Sequence, residues 1–298
     1  MEPRKTPEQS RKFEIPGVVT FTAGNGGLPR INLQTGRSTA EMYLHGAHVT
    51  GFQKTGEPPL LYLSRLSHFA SDKAIRGGVP ICLPWFGPRE GDVMHGFARL
   101  TEWELLETKA APKGGVTVRL KLPDAAIKAP WPMFSAEFVL TVTDKLAMEL
   151  IVTNQSDRYL EFENCLHTYF AVGDIREISL TGLKSAYYLD KADQGARKQE
   201  RADAIRITAE TNRVYLDTAS AVEIHDAKFH RAVRVEKSGS VSTVVWNPWT
   251  TQAMPGDWDR NDYQRMICIE SGNVGPNKLT LAPGQVASLK VVLSSQPV

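Results

Sequence analysis

Short segments in which apolar and polar residues alternate recur along almost the whole of this 298-residue chain. They are rich in β-branched and aromatic side chains, which is typical of strands with one buried face. No stretch alternates them with helical patterns of about 10–15 residues, so a parallel α/β fold is disfavoured. The pattern predicts an antiparallel all-β protein with strands at Gly115–Leu122, Ala136–Val142, Ala147–Thr153, Arg231–Glu236, Val241–Trp246, Met266–Ile269 and Ala287–Leu293.

The strand-like segments extend over nearly the full length without an internal repeat of about 20–50 residues, which disfavours a propeller or a solenoid. A large β-sandwich remains the best architecture. Because no Pro- or Gly-rich linker divides the chain, we expect a single domain over residues 13–298. Residues 1–12 are polar and contain proline, so we expect a disordered N-terminal segment there. Ala192–Arg206 is charged with little apolar content and is interpreted as a loop or one short helix.

The charge balance favours small-molecule partners. The chain has 35 Lys+Arg against 33 Asp+Glu and no block of five like charges, which disfavours nucleic acid and membrane surfaces as partners. The N-terminus has charges and prolines where a signal peptide has its apolar core, and no apolar run reaches about 18 residues. We therefore expect a cytoplasmic protein and, as its state of assembly, a monomer.

The cysteines and most histidines do not form a metal-binding pattern. Cys82, Cys165 and Cys268 are widely spaced without a CxxC pair, so we expect buried thiols, no disulfide and no metal. His45 and His48 have HxxH spacing. In a strand, residues three apart face opposite sides, so these two of the seven histidines are not expected to share a metal ion. Five histidines are interpreted as structural: His45, His48, His68, His225 and His230.

The run Ala74–Arg99 is unusually rich in glycine and proline, and it also contains arginines and a histidine that could bind a ligand. Prolines flank residues 81–83, so this apolar stretch is expected to be a short edge strand or an extended buried segment. Arg76 and Arg99 stand near the ends of the run, and His95 adds a group that titrates near neutral pH. The composition fits an anion or polyol pocket about as well as an arginine-rich surface loop.

Two further residues are candidates for proton transfer. His167 lies in FENCLHTYF and Glu270 in MICIESGN, each within an apolar, strand-like context. A buried charge requires a partner or a shifted pKa, so either residue is catalytic or it is a satisfied core group. A glycosidase would need a second carboxylate, for which only Asp190 and Asp217 are obvious. Motifs for serine hydrolases, NTPases, dinucleotide enzymes and zincins are missing, which leaves acid/base chemistry.

Seven motifs, in order from about Ala40 to the C-terminus, resemble the aldose 1-epimerase-like family and, within it, the hexose-6-phosphate mutarotases or glucose-6-phosphate 1-epimerases. They are AEMYLHGAHVTGF, AIRGGVPICLPWFGP, HGFARLTEW, LHTYFAVGDI, GLKSAYYLDK, VVWNPW and ICIESGNV. The resemblance implies a galactose-mutarotase-like super-sandwich that binds the sugar in a cleft on one sheet, without metal or cofactor.

The resemblance also implies roles for individual residues. His167 and Glu270 match the family's catalytic histidine and glutamate. The expected substrate-binding residues are Arg76, Met94, His95, Arg99 and Asp190. Met94 departs from the family, because some relatives carry a polar residue there that contacts the substrate.

The implied reaction is anomer exchange of a hexose 6-phosphate, with ionised Glu270 as base and protonated His167 as acid. The two arginines would bind the 6-phosphate through charge-assisted contacts. Two alternatives remain open at this point. One is an epimerase of unphosphorylated aldoses, and the other is a non-catalytic carbohydrate-binding or sensing module.

Overall fold

Strands are the main regular elements in the part of the chain that the structure describes. The structure, a computed structural model, describes residues 11–253 and 255–298. In chain order the strands are β1 (Val19–Ala23), β2 (Pro29–Gln34), β3 (Ser38–Tyr43), β4 (His48–Lys54), β5 (Ile81–Cys82), β6 (Glu104–Ala111), β7 (Gly115–Lys121), β8 (Phe134–Val142), β9 (Leu146–Asn154), β10 (Leu160–Phe162), β11 (Asn164–Leu166), β12 (Tyr169–Ala171), β13 (Ile178–Thr181), β14 (Tyr187–Asp190), β15 (Ala196–Gln199), β16 (Thr211–Leu216), β17 (Val222–Asp226), β18 (Arg231–Ser238), β19 (Ser242–Asn247), β20 (Met266–Asn273), β21 (Leu279–Leu281) and β22 (Val286–Pro297).

The helical elements are all single 3₁₀ turns of three or four residues. They are Arg11–Phe13, Asn25–Gly27, Ala98–Leu100, Pro112–Gly114, Asp124–Ala126, Lys191–Asp193, Asp262–Arg265 and Gly275–Asn277. Within the described ranges, no helix is long and apolar enough to cross a membrane.

Two eight-stranded sheets form the body of the fold. The first, here called the site sheet, has the order β15-β14-β16-β19-β20-β11-β5, with β12 also paired to β20. The second, the back sheet, has the order β13-β17-β18-β22-β9-β8-β7-β6. A four-stranded sheet, β1-β2-β3-β4, and the pair β10-β21 complete the architecture. The predicted antiparallel all-β sandwich is confirmed, and each of the seven predicted strands coincides with a strand of the structure.

The alternation of apolar and polar residues in the sequence corresponds to an alternation of buried and partly exposed residues in the strands. In β9 every second residue is buried, and the main hydrophobic cluster contains residues of all four sheets, such as Phe52, Phe138, Tyr215 and Leu281. Strand β20 differs because all eight of its residues are buried, so both of its faces are covered. Its odd-numbered isoleucines pack in the main core, and the opposite face of β20 is therefore free to present other chemistry.

Two sequence-based expectations need correction. The segment Ala192–Arg206, expected as a loop or short helix, contains the edge strand β15, which pairs with β14. Its residues are mostly exposed, so the strand lacks the apolar face that a pattern search detects. Of the expected disordered segment, residues 1–10 lie outside the described residues, while Arg11 and Lys12 belong to a 3₁₀ turn. The single domain over residues 13–298 stays a prediction.

Candidate active site

His167 and Glu270 meet on the site sheet although they are far apart in the sequence. His167 follows β11, and its backbone N–H donates to the carbonyl of Pro80 at 3.0 Å. Glu270 lies in the middle of β20, on the face opposite the main core. The imidazole Nε2 is 3.3 Å from Glu270 Oε1. The side chains form a buried acid/base pair, with His167 7% exposed and Glu270 1% exposed.

Aromatic rings hold the His167 imidazole in one orientation. Tyr169 stacks on it with ring centroids 4.8 Å apart and an interplanar angle of 12°. His95 and Trp246 approach it edge to face at 5.4 Å and 6.1 Å. A ring packed on several sides keeps its nitrogens in fixed directions, which is the geometry that proton transfer requires.

The two oxygens of Glu270 have different surroundings. Oε2 accepts a weak hydrogen bond from the Cys165 thiol at 3.7 Å, which leaves Oε1 facing His167. Burial raises the pKa of Glu270 well above its ordinary value of 4.5. Burial lowers the pKa of His167 well below 6.5, and the positive charges of Arg99 and Arg76 act in the same direction. Both shifts disfavour a charged group, so the pair is most stable when it holds a single proton.

His167 forms part of the wall of a cavity of about 220 Å³. The wall is mostly polar and is positively charged on balance. Its residues are His68, Lys73, Ala74, Arg76, Met94, His95, Arg99, His167, Tyr169 and Asp257. The predicted catalytic histidine and four of the five predicted substrate-binding residues therefore line one cavity.

Glycines explain how Arg76 reaches this cavity. Gly77 and Gly78 have φ values of +108° and +60°, and a Cβ on Gly78 would lie 2.2 Å from the carbonyl oxygen of Val49. Only glycine combines these dihedrals with so close an approach to the neighbouring chain. The following residues, Ile81 and Cys82, form β5 at the edge of the site sheet, which confirms the edge strand expected between the two prolines.

The two arginines are held differently. Arg76 donates through Nε to Asp257 at 3.3 Å and lies 3.5 Å from the Tyr169 hydroxyl through Nη1. Arg99 donates through Nη2 to the backbone carbonyl of Met94 at 2.7 Å. Its buried Nε has no partner among the described residues, and burial lowers the pKa of Arg99. An unsatisfied buried donor costs about 1–3 kcal/mol, so Arg99 is disposed to bind an anion.

His95 is held in a strained turn as a neutral donor. Its φ is +63°, and its Nδ1 accepts the backbone N–H of Gly87 at 3.0 Å. Burial and the nearby Arg99 and Arg76 lower the pKa of His95 to about 3. The imidazole is therefore neutral at physiological pH, and its proton resides on Nε2, which can donate to a ligand.

Gly96, between His95 and Arg99, provides a test of this local geometry. A Cβ on Gly96 would lie 2.0 Å from the Leu83 carbonyl oxygen, whereas one on Gly87 would have no neighbour within 4 Å. Both glycines have positive φ, which costs alanine about 1–2 kcal/mol. We expect Gly96→Ala to lower the melting temperature clearly more than its matched control Gly87→Ala in thermal unfolding. Equal shifts would show that the clash is relieved without strain.

The structure brings together six of the seven predicted site residues. Glu270 joins the five that line the cavity through its contact with His167. Met94 is 51% exposed at the cavity wall, and its backbone carbonyl holds Arg99. In this chain, Met94 therefore contributes a positioning carbonyl where some relatives have a polar side chain.

Asp190 is not among the residues that line the cavity. Asp190 is the last residue of β14 and pairs with Arg213 of β16. Arg213 pairs with Val245 of β19, and Val245 pairs with Ile269 of β20. Paired residues on adjacent strands share a face, so Asp190 is in the row of Ile269 and on the opposite face from Glu270. The Asp190 carboxylate binds Lys198 Nζ at 2.8 Å. The structure thus does not bring the predicted substrate-binding Asp190 into the cavity.

Besides Ala74, four lining residues were not predicted from the sequence as site residues. Tyr169 could have been, because a residue two positions after His167 in an extended chain shares its face. Lys73 stands three residues before Arg76, but nothing in the local pattern marks it as a ligand-binding residue. Asp257 approaches from a distant loop without any sequence signal. The fourth, His68, was interpreted as structural, and its exposed side chain lies on the cavity wall.

His167, Cys268 and Glu270 form the group best suited to hold a metal within the described ranges. One ligand atom of each lies within 4.8 Å of the others. Nitrogen, sulfur and oxygen ligands suit Zn²⁺. However, the buried Nδ1 of His167 has no partner among the described residues, whereas a metal-binding histidine almost always donates its second N–H to an acceptor. The expectation of no metal stays a prediction.

Solved structures share this fold. The crystal structure of a "putative mutarotase (YeaD)" from Salmonella typhimurium matches with a TM-score of 0.87 and 27% identity, covering 96% of each chain. A galactose mutarotase-like protein from Clostridium acetobutylicum matches with a TM-score of 0.70, covering 94% of this chain and 98% of its own. Because its sequence identity is only 14%, the second match supports the fold and nothing beyond it. The galactose-mutarotase-like sandwich is confirmed.

Sequence comparison places the chain in a class of enzymes. The profile of the family described as aldose 1-epimerase matches residues 29–294. The chain therefore belongs to the aldose 1-epimerase family and is an epimerase. A "putative glucose-6-phosphate 1-epimerase" from Cenchrus ciliaris is 35% identical over 285 residues, or 91% of this chain and 86% of its own length. The Escherichia coli K12 protein of the same name is 32% identical over 237 residues, or 78% and 79%.

Proposed function

We propose that this epimerase interconverts the α and β anomers of a hexose 6-phosphate, with glucose 6-phosphate as its substrate. The observation that carries the proposal is one cavity wall that combines His167, paired with the buried Glu270 at 3.3 Å, and the two arginines Arg76 and Arg99. The first group can move protons at the anomeric carbon, and the second can bind a phosphate. The names of the relatives from Cenchrus ciliaris and Escherichia coli agree with this substrate.

In the proposed reaction, the shared proton first moves from Glu270 Oε1 to His167 Nε2, 3.3 Å away, after which Glu270 accepts the proton of the anomeric hydroxyl and His167 donates a proton to the ring oxygen. The bond between the anomeric carbon and the ring oxygen then breaks, which gives the open-chain aldehyde. Rotation about the adjacent carbon–carbon bond exposes the other face of the carbonyl. Closure reverses both proton transfers and produces the other anomer. General acid and base catalysis each contribute about 10²–10⁴-fold in such steps.

The cationic residues determine where the substrate's charge is bound. The free Nε of Arg99 and the terminal nitrogens of Arg76 that Asp257 does not engage are donors suited to phosphate oxygens. His95, as a neutral Nε2–H donor whose ring is 5.4 Å from that of His167, is suited to a hydroxyl near the reacting carbon. This arrangement orients the sugar with its ring over His167 and its phosphate on the arginines.

The proposed function is tested by anomer exchange measured by NMR with glucose 6-phosphate and glucose side by side. We expect the purified protein to accelerate exchange strongly for glucose 6-phosphate and weakly for glucose. Acceleration confined to glucose would favour the alternative, an epimerase of unphosphorylated aldoses. No acceleration with either sugar would refute the proposal.

The shared proton predicts a broad pH profile. His167 and Glu270 titrate as a pair, and the active state carries one proton between them. At low pH the lowered pKa of His167 opposes the binding of a second proton to the pair. At high pH the raised pKa of Glu270 opposes the loss of the one proton that the pair holds. We therefore expect kcat to be flat through the interval between the ordinary values of 4.5 and 6.5 and to stay at that level beyond both of its ends.

The substrate's own phosphate titrates near pH 6, so the profile is measured with glucose 6-phosphate at saturation and repeated with glucose, which has no such group. A narrow maximum confined between the two ordinary pKa values, seen with both sugars, would contradict a shared proton.

A further inference from the structure

The mouth of the cavity carries more positive charge than the two predicted arginines provide. Lys73 lines the same cavity as Arg76 and Arg99, and Asp257 is the one carboxylate among the described lining residues. That carboxylate is already engaged by Arg76 Nε at 3.3 Å. The cavity therefore offers a net excess of cationic groups, to which Lys73 contributes.

The backbone of Lys73 is anchored while its ammonium group is weakly engaged. The Lys73 carbonyl accepts a hydrogen bond from Nε2 of the buried His45 at 2.8 Å, and its N–H donates to the Ala70 carbonyl at 3.1 Å. The ammonium lies 3.9 Å from Asp72, and both side chains are mostly exposed, at 60% and 75%. Exposed pairs of this kind contribute little to stability, so the ammonium is available to bind another anion.

The two arginines do not provide all the hydrogen-bond donors that a phosphate group can accept. Arg76 is committed in part to Asp257 and Tyr169, and Arg99 gives one nitrogen to the Met94 carbonyl. A phosphate has three terminal oxygens and about two negative charges near neutral pH. A cationic group on a long, exposed side chain can add a further charge-assisted contact to such a phosphate.

We propose that Lys73 is a specificity-determining residue that binds the phosphate of the substrate from the solvent-exposed part of the cavity, together with the two arginines. The proposal rests on the proposed function for the identity of the sugar phosphate. Lys73 acts on binding and not on proton transfer, because it does not contact His167 or Glu270 in any hydrogen bond or ion pair of the described residues. It therefore favours phosphorylated over free sugars without changing the chemical step.

The test compares Lys73→Gln and Lys73→Arg with the wild type in NMR anomer exchange on glucose 6-phosphate and glucose. Lys109→Gln is the matched control, because Lys109 is 59% exposed and lies 3.2 Å from Glu107 on the back sheet. We expect Lys73→Gln to raise KM for glucose 6-phosphate about 3- to 10-fold with kcat unchanged. Lys73→Arg should restore most of the affinity, and kcat/KM for glucose should not change. Added salt should narrow the difference between wild type and Lys73→Gln.

A KM for glucose 6-phosphate equal to that of Lys109→Gln would overturn the role of Lys73, as would an equal rise of KM for glucose. Calorimetric titration of glucose 6-phosphate separates this outcome from a failure of the proposed function. If the wild type binds glucose 6-phosphate without accelerating exchange and Lys73→Gln binds it more weakly, the catalytic proposal fails and the role of Lys73 stands. If Lys73→Gln binds it as tightly as the wild type, the role of Lys73 fails.

Discussion

Replacing Glu270 by Gln is expected to lower kcat for anomer exchange by at least about 10²-fold, and His167→Ala is expected to have an effect of the same size. Each substitution removes one member of a pair that works as a unit, with Nε2 and Oε1 only 3.3 Å apart. The double variant should therefore be little slower than either single variant. The measurement is NMR exchange at saturating glucose 6-phosphate.

The matched control is His225→Ala, because His225 lies 3.7 Å from Glu223 in an analogous contact on the back sheet, away from the cavity. This variant should retain the wild-type rate. Glu270→Gln removes a buried carboxylate whose raised pKa reflects unfavourable charge burial, so the melting temperature should not fall. A variant of His167 or Glu270 that folds normally and keeps a near wild-type rate would reassign that residue to a structural role.

Replacing Arg99 by Ala is expected to reduce kcat/KM for glucose 6-phosphate about 10- to 150-fold, which corresponds to losing a charge-assisted contact of about 1.5–3 kcal/mol. The loss for glucose should be small, because glucose has no phosphate to bind. Arg99→Lys should recover only part of the activity, since an ammonium cannot reproduce the guanidinium fork. Steady-state exchange rates on both sugars measure the difference.

The structure adds an internal control to the Arg99 experiment. Arg99 Nη2 binds the Met94 carbonyl, so the alanine variant also releases that loop. Met94→Ala retains the carbonyl and should leave selectivity for the phosphorylated sugar intact. If Arg99→Ala lowered kcat/KM equally for glucose and glucose 6-phosphate, Arg99 would bind ring hydroxyls of the sugar. An epimerase of unphosphorylated aldoses would then be the better interpretation.

Local sequence patterns determined the class of fold. Strands such as β8 and β9 were predictable because the side-chain period of a strand is two, and burial follows the same period. The edge strand β5 was predictable because proline cannot donate to a central ladder. The edge strand β15 was not, since an exposed polar strand has no alternation to detect.

The motifs around His167 and Glu270 marked these two residues in the sequence as the pair that we propose to be catalytic. Their mutual distance could not be predicted, because it depends on β11 pairing with β20 in a particular register. The same holds for the shared proton, since the opposed pKa shifts arise from burial that only the packed sheet produces.

The wall of the cavity was decided almost entirely by tertiary structure. Asp257 and Lys73 belong to separate loops that converge on the cavity, and no local spacing reports such convergence. Asp190 shows the reverse, because a motif marked it and the register of the site sheet placed it on the opposite face. The sequence alone determined that the chain forms an antiparallel sandwich with acid/base residues, because period and residue type are local properties. Which side chains meet in one cavity depends on strand order and register, which only the folded sheets establish.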